Sequence, residues 1–303
     1  MKVVVTGGSG QLGTAVLERL VLTRKIKKIV SLDLTPPMVP SARIDWRIAD
    51  MRDPGLERHL EGADALVHLA FIVAGRASVE TMRAVNVEGS KRIFEAAAGH
   101  DVRRIVHVSS VSAYGMVAGH PNPVVETTPR QGSPTLTYAD NKYEVEEYLD
   151  GFEAANPELA VVRLRPGILV GRRIAHVSDK FLRTRVIPIV SDARAPIVWD
   201  EDVADAVVES VLGTARGAFN LVASDPLQGE EIARLAGFQP LRVPKTAVHV
   251  ASRATSALSP VLGEQPVDLR WLRAGDTEMI VSASKARTEL GWKPRYPTSA
   301  DVA

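Results

Sequence analysis

The stretch from Val3 to Gly13, Val-Val-Val-Thr-Gly-Gly-Ser-Gly-Gln-Leu-Gly, limits the fold of this chain more than any other. Three β-branched residues favour a short buried strand. A glycine turn follows, and apolar residues then recur at helical spacing at Leu12, Ala15, Val16 and Leu20. Strand, tight turn and helix, with glycines at 7, 10 and 13, form the pattern of a dinucleotide site. Gly7 permits the sharp turn, Gly10 lets a pyrophosphate approach the backbone, and Gly13 lets the helix pack closely on the strand. The open N–H groups of the helix start, where Gln11 and Leu12 sit, and the positive end of its dipole would face the phosphates. An ordinary βα turn can carry the same glycines, so the rest of the chain must supply the confirming context.

It supplies several pieces. Lys28 to Leu32 reads as a second strand and ends at Asp33, about 20 residues beyond Gly13, where a dinucleotide fold places a carboxylate on the adenosine ribose. A carboxylate there repels a 2′-phosphate and argues for NAD over NADP, with Arg43 and Arg47 downstream keeping the question open. Arg43 to Ala49 alternates as a third strand and closes on Asp50-Met51. Asp64 to Leu69 is a fourth, ending in His68-Leu69-Ala70. Met82, Val85, Ile93, Phe94 and Ala97 set a helix between Val79 and Ala98, with Gly99 as its cap. Arg104 to Val108 is a fifth strand, followed by Ser109 and Ser110. Strands alternating with amphipathic helices imply a doubly wound parallel sheet, which binds ligands at the carboxyl ends of its strands. Gly7, Asp33, Asp50, Ala70 and Ser110 all fall at such ends. His68 and His107, inside apolar strands, read as satisfied core histidines.

The second half changes texture. Loops run from Pro121 to Pro134, a helix from about Leu136 to Phe152, and a sixth strand from Ala160 to Leu164 ends in Arg165-Pro166-Gly167. The arginine-rich part from Arg172 to Ala195 leaves the main sheet, a helix follows from Asp202 to Leu212, and Ala218 to Val222 forms a strand. The expected architecture is a Rossmann-type α/β fold: residues 1–165 form an NAD-binding domain whose sheet is completed from 197–223, and 166–303 are mostly a smaller substrate-binding cap over the cleft.

Composition narrows the function. A length of 303 residues suits one α/β domain with a small companion, and a net charge of +1 leaves no electrostatic footprint for nucleic acid or an anionic membrane. No apolar run reaches membrane-spanning length. With no cysteine, disulfides and thiol catalysis are excluded, and no metal site is expected. The glycine turn begins at residue 7, so no signal or transit peptide is expected and the cytoplasm is the expected compartment.

Tyr138 and Lys142 lie four apart on the expected helix and project from one face. A lysine ammonium, with a positively charged nicotinamide nearby, favours the phenolate and brings the tyrosine pKa down from ~10 towards neutral. Such a tyrosine can take a proton from a hydroxyl, or give one to a carbonyl, as hydride moves. Ser110 would hydrogen-bond the same oxygen and orient it. A surface tyrosine beside a surface lysine is the bland alternative, and the glycine turn argues against it.

The set Thr6-Gly-Gly-Ser-Gly-Gln-Leu-Gly13, Asp33, Asp50-Met51, His68-Leu69-Ala70, Asn86-Val-Glu-Gly89, Ser109-Ser-Val-Ser-Ala-Tyr-Gly115 and Tyr138-x-x-x-Lys142 resembles the extended short-chain dehydrogenase/reductases. Within them it is most similar to the NAD-dependent epimerase/dehydratase group that includes the nucleotide-sugar 4-epimerases. The resemblance implies that Ser110 orients the substrate, that Tyr138 is the acid/base, and that Lys142 binds the nicotinamide ribose and tunes Tyr138. It implies that Asn86 supports the lysine and a proton relay, that Asp50 and Met51 lie against adenine, and that Leu69, Ala70 and Pro166 line the cofactor. It also places Arg273 on a diphosphate and Asp276 on a nucleoside ribose, and pairs two subunits through the Tyr138 helix and the helix after Val79. Val145, Tyr148, Leu149 and Phe152 supply an apolar stripe suited to such a four-helix bundle, or equally to the core.

The chain departs from the family in three places. Val111-Ser112 stand where the sugar dehydratases carry an Asp-Glu pair, which disfavours elimination of water. Leu164-Arg165-Pro166 lacks the usual asparagine at the substrate diphosphate, and no arginine stands in register before Asp202, Arg194 being the nearest. Arg165, Arg172 and Arg185 are the residues able to compensate. The leading expectation is an NAD-dependent epimerase-like enzyme acting on a secondary alcohol of a nucleotide sugar. An NAD-dependent dehydrogenase or ketoreductase on a sugar, steroid-like or polyketide-derived substrate is the alternative. A non-catalytic dinucleotide sensor that binds partner proteins would have no need of Ser110, Tyr138 and Lys142.

Overall fold

The computed structural model describes residues 1–73, 77–133, 136–171, 186–244, 246, 277–298 and 301. Its first half runs β1 (Lys2–Thr6), α1 (Gln11–Leu22), β2 (Lys28–Asp33), β3 (Ile44–Ile48), β4 (Ala65–His68), α2 (Val79–Arg83), α3 (Gly89–Gly99), β5 (Arg104–Val108), α4 (Thr137–Ala155) and β6 (Ala160–Pro166). The second half adds β7 (Ile168–Val170), β8 (Val186–Ile189), β9 (Arg194–Ala195), β10 (Ile197–Trp199), α5 (Asp200–Leu212), β11 (Gly217–Leu221), β12 (Leu227–Gln228), α6 (Gly229–Leu235) and β13 (Gln239–Arg242).

Seven strands form the central sheet in the order β11-β6-β5-β4-β1-β2-β3, and every pair in it is parallel. This is the Rossmann-type doubly wound arrangement, with β11 from the second half closing one edge. Both faces are covered over the central strands, which is why β1, β4 and β5 are mostly apolar, whereas the edge strand β3 alternates. Val3 and Val5 face one core with Val16, Leu20 and Val203, whereas Val4 faces the other with Phe94, Val145 and Phe152. Residues two apart on a strand share a face, so this division follows from the pleat. Val145, Leu149 and Phe152, at 0%, 0% and 7% exposed, therefore belong to the intramolecular core. Tyr148 stacks on Phe152 and donates to Glu95 at 3.1 Å.

Two local features differ from the sequence expectation. The helix after Val79 is interrupted by a π-helical turn, Ala84–Glu88, and the left-handed residue beyond it is Asp101 at φ 55°, with Gly99 the last helical position. The helix expected from Asp202 begins two residues earlier, at Asp200. The Asp202 carboxylate accepts the N–H groups of Arg295 and Tyr296 at 2.6 and 3.1 Å, tying the C-terminal segment to the domain. Among the described residues no helix is long and apolar enough to cross a membrane.

Candidate active site

The glycine turn joins β1 to α1 at the carboxyl edge of the sheet. Gly7 adopts φ 77°, and a Cβ there would lie 2.6 Å from the Ala70 nitrogen, so the turn is pressed against the segment after β4. A Cβ at Gly13 would meet the Gly7 carbonyl oxygen at 2.1 Å, so the helix closes onto the turn as well as onto the strand. Gly10 is different. Its φ of −70° suits any residue, and its nearest protein neighbour to a Cβ is Gly7 O at 3.5 Å. Nothing in the protein requires glycine there, whereas a ligand resting on the backbone would. No side chain caps α1 and no acid sits in its first turn, which leaves the helix start open to an anion. Asp33 ends β2 beside the turn and accepts from Ser9 N at 2.9 Å and Leu34 N at 2.7 Å. Those bonds fix the carboxylate while leaving acceptor positions for two ribose hydroxyls. This donor and acceptor set fits NAD.

The other expected cofactor contacts divide. Leu69 N and Ala70 N donate to the Thr6 carbonyl and hydroxyl oxygens at 3.1 and 3.3 Å, holding that segment on the glycine turn. Asp50 pairs with Arg52 at 2.6 Å, and that contact, against slight burial, holds its carboxyl below the usual range. Met51 is buried against Gly89, and Gln11 reaches Asp200 at 3.4 Å. Pro166 ends β6 and is buried. Asn86 sits in the π-helical turn, a feature common at functional sites. Both halves of its amide bind the backbone of Ile72: Oδ1 accepts from N at 2.7 Å and Nδ2 donates to O at 2.9 Å. Its contact is thus with the segment after β4. Thr6, His68 and Ser90 extend the network, with Nδ1 of His68 at 2.7 Å from Thr6 Oγ1 and Nε2 at 2.8 Å from Ser90 Oγ. His68 is the satisfied core histidine expected; His107, stacked on it at 5.4 Å, has no partner on either ring nitrogen among the described residues.

Tyr138 and Lys142 start α4 and project inward together. Burial pushes the Tyr138 phenol up from its ordinary value, and the Ser110 and Ser112 hydroxyls beside it offset part of that rise. Lys142 is 3% exposed and donates to the Val108 carbonyl at 2.7 Å. Burial pulls its pKa down to about 7, with the charge of Glu146 opposing the fall. The sequence expectation of a lowered tyrosine pKa is thus reversed in the protein alone. Desolvation is the stronger effect, and a bound positive nicotinamide is what would add to Lys142.

Arg165 also differs from expectation. It is 3% exposed and clasps Glu146, Nε to Oε1 at 2.8 Å and Nη2 to Oε2 at 2.7 Å, while Nη1 donates to Tyr114 at 2.7 Å. The guanidinium expected to compensate at a substrate is instead part of the core. Glu146 is fully buried and also meets Arg130 at 2.8 Å and Arg163 at 3.3 Å. Burial raises its carboxyl, but the arginines outweigh this and hold it well below the carboxylate range. Arg172, Arg185, Arg273 and Asp276 lie outside the described residues. Sequence reasoning missed Glu146 and Phe71. Glu146 could have been found one turn after Lys142 on the same helix face, and Phe71 directly after Ala70.

Similarity to known proteins agrees with this geometry. The model of the NAD dependent epimerase/dehydratase family matches residues 3–216. A UDP-glucose 4-epimerase of Streptomyces lividans is 28% identical over 326 residues, covering 100% of this chain and 93% of that protein. A putative dihydroflavonol 4-reductase of Synechocystis is 27% identical, over 95% of this chain and 88% of that one. The UDP-glucose 4-epimerase of Thermus thermophilus, solved in complex with NAD, superposes with a TM-score of 0.73 at 23% identity, covering 100% of this chain and 96% of that one. With its seven-stranded parallel sheet and its glycine turn at the strand ends, the chain belongs to the NAD-dependent epimerase/dehydratase family and is an NAD-dependent enzyme of the extended short-chain dehydrogenase/reductase type.

Proposed function

We propose that the enzyme oxidises a secondary alcohol of a nucleotide-linked sugar and returns the hydride to the opposite face of the same carbon. The convergence of Ser110, Ser112 and Lys142 around Tyr138, beside the glycine turn, carries this reading. Bound NAD supplies the hydride acceptor. Tyr138 takes the hydroxyl proton as the alcohol is oxidised and returns it on reduction, and Ser110 orients the oxygen. Lys142, as an ammonium, favours the Tyr138 phenolate against the desolvation that raises it. A donor left after its bond to Val108 O would serve the nicotinamide ribose. Val111-Ser112 offer no acid to protonate a leaving hydroxyl, which supports epimerisation over dehydration. A nucleotide sugar is supported by the Streptomyces lividans relative and by the bifunctional UDP-glucose and UDP-xylose 4-epimerase of Arabidopsis thaliana, 25% identical.

The test is to denature the purified protein and measure released nucleotide, then incubate the native protein with a panel of nucleotide sugars and follow epimers by NMR. Near-stoichiometric NAD and an epimer formed without net NADH are expected. Protein that purifies empty and accumulates NADH would refute epimerisation and favour an exchanging dehydrogenase or ketoreductase. The Synechocystis relative and the withdrawal of Arg165 into the core support that second reading. Pairing of two copies through α3 and α4 is a separate proposal, tested by light scattering. A mass of twice 32.7 kDa supports it, and a monomer mass refutes it.

A further inference from the structure

Lys142 is buried without a carboxylate of its own among the described residues. Glu146, one turn along α4, is clasped by Arg130, Arg163 and Arg165. Asn86, whose amide oxygen could otherwise accept from the lysine, is bonded at both ends to Ile72. His68 on β4 and His107 on β5 are close enough for the Lys142 charge to lower both imidazoles, so neither is a counter-charge. The Glu146 charge helps at a distance, and the face of one ring lies in direct contact. The Lys142 nitrogen lies 3.5 Å from the centroid of the Phe71 ring, well inside cation–π range. The same ring meets the Tyr138 ring edge-on, centroids 5.6 Å apart at 87°.

Phe71 is fixed from both sides. Ala70 N before it donates to Thr6 Oγ1, and Ile72 after it is held by Asn86. The π-helical turn therefore serves to place a ring through Asn86. A lysine has three N–H donors. Val108 O takes one, the face of Phe71 takes the second, and one is left for a ribose hydroxyl.

We propose that Phe71 is the positioning residue of this site: its ring face holds the Lys142 ammonium and its flank fixes Tyr138, which aims one lysine donor at the cofactor. The proposal rests on the reading of Tyr138 and Lys142 given above, and it assigns Phe71 no contact with the reacting atoms.

Fluorination separates the ring's electrostatics from its packing, because mono-, di- and trifluorophenylalanine at position 71 keep its shape while progressively weakening its negative face. Lys142 is titrated by NMR in protein carrying ¹³C-labelled lysine, with Lys142→Met identifying its resonance, and the NAD Kd is measured at pH 6 and 8. The titration midpoint should fall stepwise with fluorine count, by roughly one pH unit in total. NAD binding at pH 8 should weaken several-fold while pH 6 changes little. Phe71→Leu should behave as the trifluoro variant, and Phe71→Tyr as the parent. A midpoint unmoved by fluorination overturns the proposal, as does a midpoint moved by Phe71→Leu but not by fluorine, since packing alone would then be responsible. The reading of the site fails separately, if Tyr138→Phe retains turnover.

Discussion

Gly10 and Gly13 both look indispensable in the sequence, but the structure gives them different reasons, and two alanine substitutions tell those reasons apart. In Gly13→Ala the new methyl would sit 2.1 Å from Gly7 O and 2.7 and 2.8 Å from the Gly8 backbone. None of these atoms is the movable end of a side chain, so α1 or the turn must shift. Overpacking of this kind costs about 3 kcal/mol, the upper end of the usual range. At roughly 2 °C per kcal/mol for a chain of this length, Tm should fall about 6 °C. In Gly10→Ala the methyl meets only Gly7 O, at 3.5 Å, in backbone of φ −70°. The change is then that of alanine for glycine at a helix N-cap, about 0.5–1 kcal/mol, or about 1–2 °C. The methyl occupies the approach of the pyrophosphate, so NAD affinity should fall more than tenfold, a loss above about 1.4 kcal/mol. Scanning calorimetry without nucleotide and titration calorimetry with NAD read the two effects independently. Equal thermal losses in the two variants, or parental NAD affinity in Gly10→Ala, would refute the assignment.

Two further predictions concern charge. Asp33→Ala removes the carboxylate held by Ser9 N and Leu34 N, and the ratio of NADP to NAD dissociation constants should fall by at least tenfold; an unchanged ratio removes Asp33 from the ribose. Glu146→Gln leaves Arg130, Arg163 and Arg165 without their shared counter-charge and should cost about 3–5 kcal/mol at pH 7 by urea unfolding. Because the folded carboxyl titrates below its unfolded value, its contribution is complete above about pH 4.3 and is lost as pH falls further. The parent and Glu146→Gln should therefore converge in stability in acid, and a gap that stays constant to pH 2 would contradict this.

The fold was legible because its evidence is local and repeated. β1 ends in the glycine turn, β2 ends at Asp33, and β5 falls on the residues read from the sequence, Arg104–Val108, just before Ser109 and Ser110. The tyrosine and lysine were legible for the same reason, since helix geometry alone puts Tyr138 and Lys142 on one face. What could not be read depended on contacts between distant segments. Arg165 looks like a free arginine at a strand end, and only the packing of α4 on β6 shows Glu146 meeting it. Asn86 matches a family position, but its partner Ile72 follows from the π-helical turn, which no periodicity announces. The direction of the Tyr138 shift depends on how deeply α4 is covered, and burial is a property of the whole fold.

The central claim is that Tyr138 moves the proton while NAD stays bound, and Tyr138→Phe tests it most directly. Turnover of the nucleotide sugar identified in the panel should be compared with that of the parent, with bound NAD quantified in the same preparations. Loss of the phenol should lower kcat by at least about a hundredfold, the usual contribution of a positioned acid/base, with NAD content unchanged. A kcat within a few-fold of the parent at full NAD occupancy would contradict the account.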